Sequence, residues 1–212
     1  MLKLDLQLFG GRGASSASGG GSGGKTQTEH MDKWSEPPSL ASQLANSLGI
    51  SENKAQSEVE SVQNYSGSDY GDIRDAQYNG YTTSPFYKQA MEIEDFIKQS
   101  PKWAGGELYR GLGLPTASVS HLKVGAKIDM KGMSSWSSAK SVADDFADHG
   151  ASAKGKSSVI FRTAGTKQGT SITHLSIFGK GESEVLISGK ATWTITGVSK
   201  VGKVTIVDVK EN

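Results

Sequence analysis

Cysteine is absent from the 212 residues, which excludes disulfide bonds, thiolate zinc sites and cysteine nucleophiles but leaves the redox compartment open. Charge of one sign is not in excess either, because 23 Lys and Arg oppose 22 Asp and Glu. Nucleic acids and anionic membranes select basic surfaces, so we expect neither as a partner. No apolar run approaches the roughly 18 residues of a membrane span. Lys3, Asp5 and Gln7 interrupt the first nine residues, which make a poor secretory signal.

Metal-site and nucleotide-loop signatures are also scarce. The segment Gly111-Leu112-Gly113 lacks the third glycine and the following helix of a dinucleotide fingerprint, and no phosphate-loop lysine pattern occurs. The histidines lack the helical pairing that metal ligation uses, and they stand at positions 30, 121, 149 and 174. We therefore predict no bound metal.

Glycine is plentiful but uneven, with 27 in the chain and a run at 10–24 that reads GGRGASSASGGGSGG. Such a run cannot offset its backbone entropy by burial, so residues 10–38 are predicted to form a flexible linker. The linker tethers a short apolar tag at 1–9, in which Leu2, Leu4, Leu6 and Leu8 alternate. The tag could dock on a partner or be clipped off, and a disordered tail is the simpler alternative.

Two regions of regular structure follow the linker. Residues 39–100 carry helix formers, with predicted helices at 40–48, 51–65 and 84–99 and Pro85 in the first turn of the last one. Residues 101–212 are richer in short β-type segments, predicted at 108–109, 157–161, 171–178, 184–188, 192–196 and 203–209. One further helix is predicted from a Ser138 cap to Gly150. Helices followed by strands indicate an α+β domain with antiparallel sheets.

Three local features of the β-rich region carry candidate chemistry. They are Leu-Tyr-Arg-Gly at 108–111, Ser-Trp-Ser at 135–137 and Glu-Ser-Glu at 182–184. Each alone has an ordinary explanation: an arginine in solvent, a serine cap, and a solvated pair of carboxylates. In this order they resemble the mono-ADP-ribosyltransferases of the arginine-serine-glutamate type, which include bacterial toxins.

The resemblance covers about residue 51 to the end. Residues 65–74 resemble the amino-terminal helix region of the family, and the sequence leaves open whether they cap the active-site cleft or pack behind it. Trp136 departs from the usual threonine, and Ser134 and Ser138 leave the serine register open by one residue. The spacing to the following helix favours Ser135. The family implies a core of two packed, mainly antiparallel sheets with an amino-terminal helical subregion.

The resemblance also implies NAD as substrate and a role for each residue. Glu184 would bind the ribose 2'-hydroxyl and stabilise an oxocarbenium-like transition state, while Ser135 would hold its carboxylate. Arg110 would bind the diphosphate, and Gly111 would allow close approach of the backbone to nicotinamide. The remaining expected NAD-binding residues are Tyr109, Ser137 and Phe146.

Phe146, Glu182 and Phe178 each have a more specific expectation. Phe146 matches the family position that stacks on nicotinamide, although it could equally be a core residue. The resemblance implies arginine as acceptor, because the family members with a glutamate at the position of Glu182 modify arginine; a carboxylate can orient a guanidinium and help to deprotonate it. Phe178 is expected as an exposed aromatic for target recognition in the loop 174–181, or else as an inward strand residue.

Residues 4–16 resemble the starts of tailed-bacteriophage head proteins, some of which carry transferase domains. This similarity implies a phage-encoded enzyme that is associated with the virion through its tag and delivered to the host bacterial cytoplasm, rather than a secreted effector. Two alternatives to a transferase stay open. One is a non-enzymatic virion or interaction protein that retains the fold, and the other is an NAD glycohydrolase.

Overall fold

The computed structural model describes residues 2–3 and 38–212, so most of the predicted tag and linker lies outside the described residues. Four helices follow the first short strand, and most of the sheet comes after them. In chain order the elements are β1 Leu2–Lys3, α1 Leu40–Leu48, α2 Glu52–Ser66, α3 Tyr70–Asn79, α4 Pro85–Gln99, β2 Leu108–Pro115, α5 Thr116–Val119, β3 Lys127–Asp129, β4 Ser134–Ser137, α6 Lys140–Ala151, β5 Lys156–Thr163, β6 Gly169–Ser171, β7 Glu184–Ile187, β8 Trp193–Val201 and β9 Val204–Glu211. None of the helices in these ranges is long and apolar enough to cross a membrane.

Serine caps set the starts of three predicted helices. The hydroxyls of Ser39, Ser51 and Ser84 accept backbone N–H groups one turn into α1, α2 and α4. The predicted Ser138 cap of α6 is wrong. Ser137 accepts the Ala139 N–H instead, at 3.0 Å, while the backbone N–H of Ser138 donates to Ser183 at 3.2 Å.

The predicted strand at 171–178 is also wrong, because β6 ends at Ser171. The backbone N–H groups of Leu175 and Ser176 both donate to the Ile172 carbonyl at 2.8 Å, so the chain turns here. Ile172 and Leu175 are both buried. Their spacing of three residues suits a helical turn and not the alternation of a strand.

The nine strands form one hydrogen-bonded sheet in the order β1-β3-β8-β9-β5-β2-β4-β7-β6. Its pairs are antiparallel except for β1 with β3 and β5 with β9. Trp136 in β4 and Trp193 in β8 stack at 5.1 Å between ring centroids, although three strands separate them in the sheet. The sheet therefore curls until its two halves pack face to face. The predicted α+β fold is confirmed. The two packed sheets that the resemblance implied are the two halves of one continuous sheet.

Helices cover both outer faces of the sheet. The amino-terminal helices pack with Met133, Ile172 and Leu186 in one apolar cluster, against the β4–β7 half. On the other side α6 lies directly on β2, because two glycines of β2 leave room for its backbone. A Cβ on Gly111 would lie 1.8 Å from the Ala143 carbonyl oxygen. The helices thus form walls on either side of strands β2, β4 and β7.

Candidate active site

A cavity opens where β2, β4 and β7 lie between these helical walls. All nine predicted site residues line it. They are Tyr109, Arg110, Gly111, Ser135, Ser137, Phe146, Phe178, Glu182 and Glu184. The structure therefore brings together residues that are up to 75 positions apart in the sequence.

Strand pairing explains why the three motifs meet. β4 lies between β2 and β7 in the sheet. Ser137 is in register with Tyr109 on one side and with Glu184 on the other. Since side chains two residues apart share a face of a strand, Ser135 points the same way as Ser137. The serine segment is therefore the centre of the site.

Arg110 is a buried cation at the base of the cavity, with 1% of its surface exposed. Its guanidinium donates to the Ser135 carbonyl at 2.5 Å between nitrogen and oxygen. Burial, together with the nearby charge of Arg74, lowers the pKa of Arg110 to about 9. The side chain therefore remains positively charged at neutral pH and can bind an anion.

Glu184 is a buried carboxylate, 5% exposed, at the first position of β7. Burial raises its pKa to about 7, and the charge of Glu182 adds to this rise. Hydrogen bonds from the Ser135 and Ser176 hydroxyls and the charge of Arg110 act in the opposite direction. The Glu184 Oε2 atom has no hydrogen-bond partner within the described ranges. This buried oxygen therefore has an unused capacity to accept a hydrogen bond.

The serine segment also fixes the loop that carries Glu182. The Ser137 hydroxyl donates to the Glu182 carbonyl at 2.6 Å, and the Ser138 N–H donates to the Ser183 carbonyl. Ser183 has a φ of 46°, in the left-handed region, where the chain turns into β7. Two carboxylates, one buried at Glu184 and one half-buried at Glu182, consequently face the same cavity.

The aromatic residues form the sides of the cavity. Phe146 is half-buried on α6, whose core positions are Ala143 and Ala147, so it is a cavity wall and not a core residue. Phe178 is also half-buried and lines the cavity from a turn. It is therefore neither the fully exposed aromatic nor the strand residue considered from the sequence. The exposed apolar side chain of this loop is Ile177, at 57% exposure.

Gly111 also has a packing role, which the sequence did not predict. It does line the cavity, but the space that its side chain would fill is occupied by the backbone of α6. The absence of a Cβ is therefore required by helix packing in the first place. Among the described residues, no group of three or more His, Asp or Glu is placed to hold a metal ion.

The end of α2 and the start of α3 form a further wall of the cavity, and its residues were not among those predicted from the sequence. Tyr65, Ser66, Gly67 and Tyr70 line the cavity opposite α6. The rings of Tyr65 and Tyr70 meet edge to face at 6.5 Å. In the segment 65–74 the tyrosines line the cavity, while Arg74 lies behind it.

Neither a protein-family model nor a curated protein sequence matches the chain. Solved structures do match. The Vis toxin, an ADP-ribosyltransferase from Vibrio splendidus, has a TM-score of 0.61 at 21% identity, over 81% of this chain and 84% of that one. Exoenzyme S from Pseudomonas aeruginosa, solved with human 14-3-3 protein beta and bound to Carba-NAD, gives 0.58 at 18%, over 81% and 86%. The Clostridium limosum C3 exoenzyme gives 0.57 at 17%, over 80% and 90%. The chain therefore has the ADP-ribosyltransferase fold.

Proposed function

We propose that the protein is an NAD-dependent mono-ADP-ribosyltransferase that modifies an arginine of a target protein and releases nicotinamide. The observation that carries this proposal is the meeting of Arg110, Ser135 and Glu184 in one cavity. The fold is shared with transferases, one of which was solved with an NAD analogue. NAD is here a substrate and not a resident cofactor.

The buried carboxylate supplies the main chemical step. Cleavage of the bond between ribose and nicotinamide develops positive charge on the ribose, which an ionised Glu184 stabilises. The Ser135 hydroxyl acts on this carboxylate so as to lower its pKa, and it would hold the carboxylate in place. Because the pKa of Glu184 is about 7, the ionised, reactive form is a large fraction of the protein only at neutral and higher pH.

The other cavity residues bind and confine NAD. Arg110 offers a forked guanidinium to the diphosphate, and its burial strengthens that attraction. Phe146 forms a flat wall on which the nicotinamide ring can stack. Tyr109, Gly111 and Ser137 complete the binding surface.

Glu182 supports arginine as the acceptor. It is the second carboxylate of the cavity and it is less buried than Glu184, so it faces an incoming side chain. A carboxylate can orient a guanidinium and accept its proton. Phe178 and the exposed Ile177 would contact the target protein beside it.

The reaction and its acceptor are tested with labelled NAD, a small guanidino compound and a host-cell lysate. Label on the guanidino compound, and mass-spectrometric mapping of modified protein to arginine side chains, would support the proposal. Nicotinamide release without any label transfer would favour an NAD glycohydrolase. Absence of both would favour a non-enzymatic interaction protein.

Virion association is a separate proposal that depends on the amino-terminal residues 4–16, outside the described ranges. We propose that this segment binds phage head proteins and carries the enzyme into the host cytoplasm. Mass spectrometry of purified particles provides the test. Particles that lack the chain would contradict the proposal and leave the enzymatic one unaffected.

A further inference from the structure

Arg74 lies behind the cavity and hydrogen-bonds to the turn that leads into β4. Its side chain is buried, with 7% exposed, and donates to three backbone carbonyls. Nε donates to Met133 at 2.7 Å, and one terminal nitrogen donates to Met130 at 2.6 Å and to Lys131 at 3.2 Å. We propose that Arg74 is a positioning residue, which sets where β4 presents Ser135 to Glu184. This inference rests on the proposed function.

The turn needs such a restraint because of its backbone. Lys131 has a φ of 52° and Gly132 a φ of 87°, so two consecutive residues adopt the left-handed region. That conformation is unfavourable for lysine and persists only where surrounding contacts hold it. Met133, directly after these two residues, accepts one of the Arg74 bonds.

Neighbouring helix residues hold the same point. The Gln77 side-chain oxygen accepts the Met133 N–H at 2.7 Å, and the Tyr65 hydroxyl lies 3.4 Å from the Met133 carbonyl oxygen. Met133 stands two residues before Ser135. Helices α2 and α3 therefore hold both backbone groups of Met133, its N–H and its carbonyl, directly before β4.

The position of Ser135 matters to both charged groups of the site. Its carbonyl accepts from Arg110, and the action of its hydroxyl on Glu184 lowers the pKa of that carboxyl. The other groups that act on Glu184 are Ser176, Glu182 and Arg110. A shift of β4 would loosen the contacts of Ser135 with both groups, while Ser176, which lies outside β4, would stay in place. Lysine cannot replace Arg74 fully, because a single ammonium does not span three carbonyls.

The test compares Arg74→Met, Arg74→Lys and Ser135→Ala in nicotinamide release. We expect Arg74→Met to lower kcat by about 10²-fold, with a much smaller change in the KM for NAD, because the loss is one of alignment. Arg74→Lys should recover part of kcat. In a Ser135→Ala background, Arg74→Met should have little further effect, since its influence passes through Ser135. Arg162→Met is the matched control: it loses a 2.6 Å ion pair with Asp208 and lines no part of the cavity.

A second readout does not depend on turnover. NMR titration of the Glu184 carboxyl carbon should show a higher pKa in Arg74→Met than in the wild type, as in Ser135→Ala, and no change in Arg162→Met. A folded Arg74→Met protein with wild-type kcat and an unchanged Glu184 pKa would overturn the proposal. So would effects of Arg74→Met and Ser135→Ala that multiply in the double variant. If the wild type releases no nicotinamide, the proposed function fails, and the titration still decides the role of Arg74.

Discussion

Substitution of Gly111 by alanine should destabilise the protein by pushing α6 away from β2. The added Cβ would lie 1.8 Å from the Ala143 carbonyl oxygen and 2.8 Å from the Ala147 nitrogen. Both neighbours are backbone atoms, so no side chain can rotate out of the way. The helix must retreat by about 1.6 Å to reach the 3.4 Å at which ordinary contact begins.

Forcing extra volume into a packed interface costs about 1–3 kcal/mol, and a rigid helix backbone places this case near the upper value. We therefore expect a loss of about 3 kcal/mol in the free energy of unfolding, or about 6–12 °C in Tm for a domain of this size. Urea and thermal denaturation measure it. NAD binding should weaken as well, because Phe146 moves with α6.

Two further variants make this test specific. Gly113→Ala should behave alike, since its Cβ would lie 1.9 Å from the Gly150 carbonyl oxygen. The double variant Gly111→Ala/Gly113→Ala should lose less free energy of unfolding than the two single variants lose together, because one retreat of α6 relieves both clashes. Gly165→Ala is the control: nothing lies within 4 Å of its Cβ, and a change within about 0.5 kcal/mol is expected. Gly111→Ala as stable as Gly165→Ala would refute the packing argument.

Three other substitutions test the site. Glu182→Gln should keep NAD hydrolysis and lose transfer to arginine. One assay measures both activities, as nicotinamide released and as label on the acceptor. An equal loss of both activities would contradict separate roles for the two carboxylates. Arg110→Lys should reduce kcat/KM for NAD by about 10–100-fold, since a point charge replaces a fork of donors; unchanged steady-state kinetics would exclude diphosphate binding by Arg110. Glu184→Gln should equal the wild type in stability near pH 4 and exceed it by up to about 3 kcal/mol above pH 7 in urea denaturation. The pKa of Glu184 is raised from 4.5 to about 7, so across that interval the unfolded chain releases a proton that the folded protein retains, and the wild type loses stability as the pH rises. A wild type more stable than Glu184→Gln at pH 8 would contradict the burial of an ionisable carboxyl.

Local sequence signals predicted the elements whose stability is local. Helices α1, α2 and α4 were predictable from their runs of helix formers, with Pro85 in the first turn of α4. Strand β4 was not predicted as a strand, because Ser134–Ser137 has only one large apolar residue. Its strand conformation depends on pairing with β2 and β7. Long-range pairing of this kind leaves no pattern in the segment itself.

The sequence predicted the main residues of the candidate site, but it did not predict all of the residues that form the walls around them. Arg110, Ser135 and Glu184 were identified from motif order, and the cavity includes all three. The aromatic wall at Tyr65 and Tyr70 was not assigned, because nothing in a helix end indicates which distant strand it faces. The hydrogen bonds from Arg74 to the turn before β4 join residues that are 56 to 59 positions apart in the sequence, so they could be seen only in three dimensions.

In the proposed reaction, the buried Glu184 carboxylate drives cleavage of NAD. Its most direct test is the initial rate of nicotinamide release by the wild type and by Glu184→Gln, at pH 8, with folding of both verified by circular dichroism and thermal unfolding. We predict steady release by the wild type and a loss of about 10²–10³-fold in the variant, the effect typical of removing a group that stabilises transition-state charge. A folded variant that releases nicotinamide at the wild-type rate would contradict the claim.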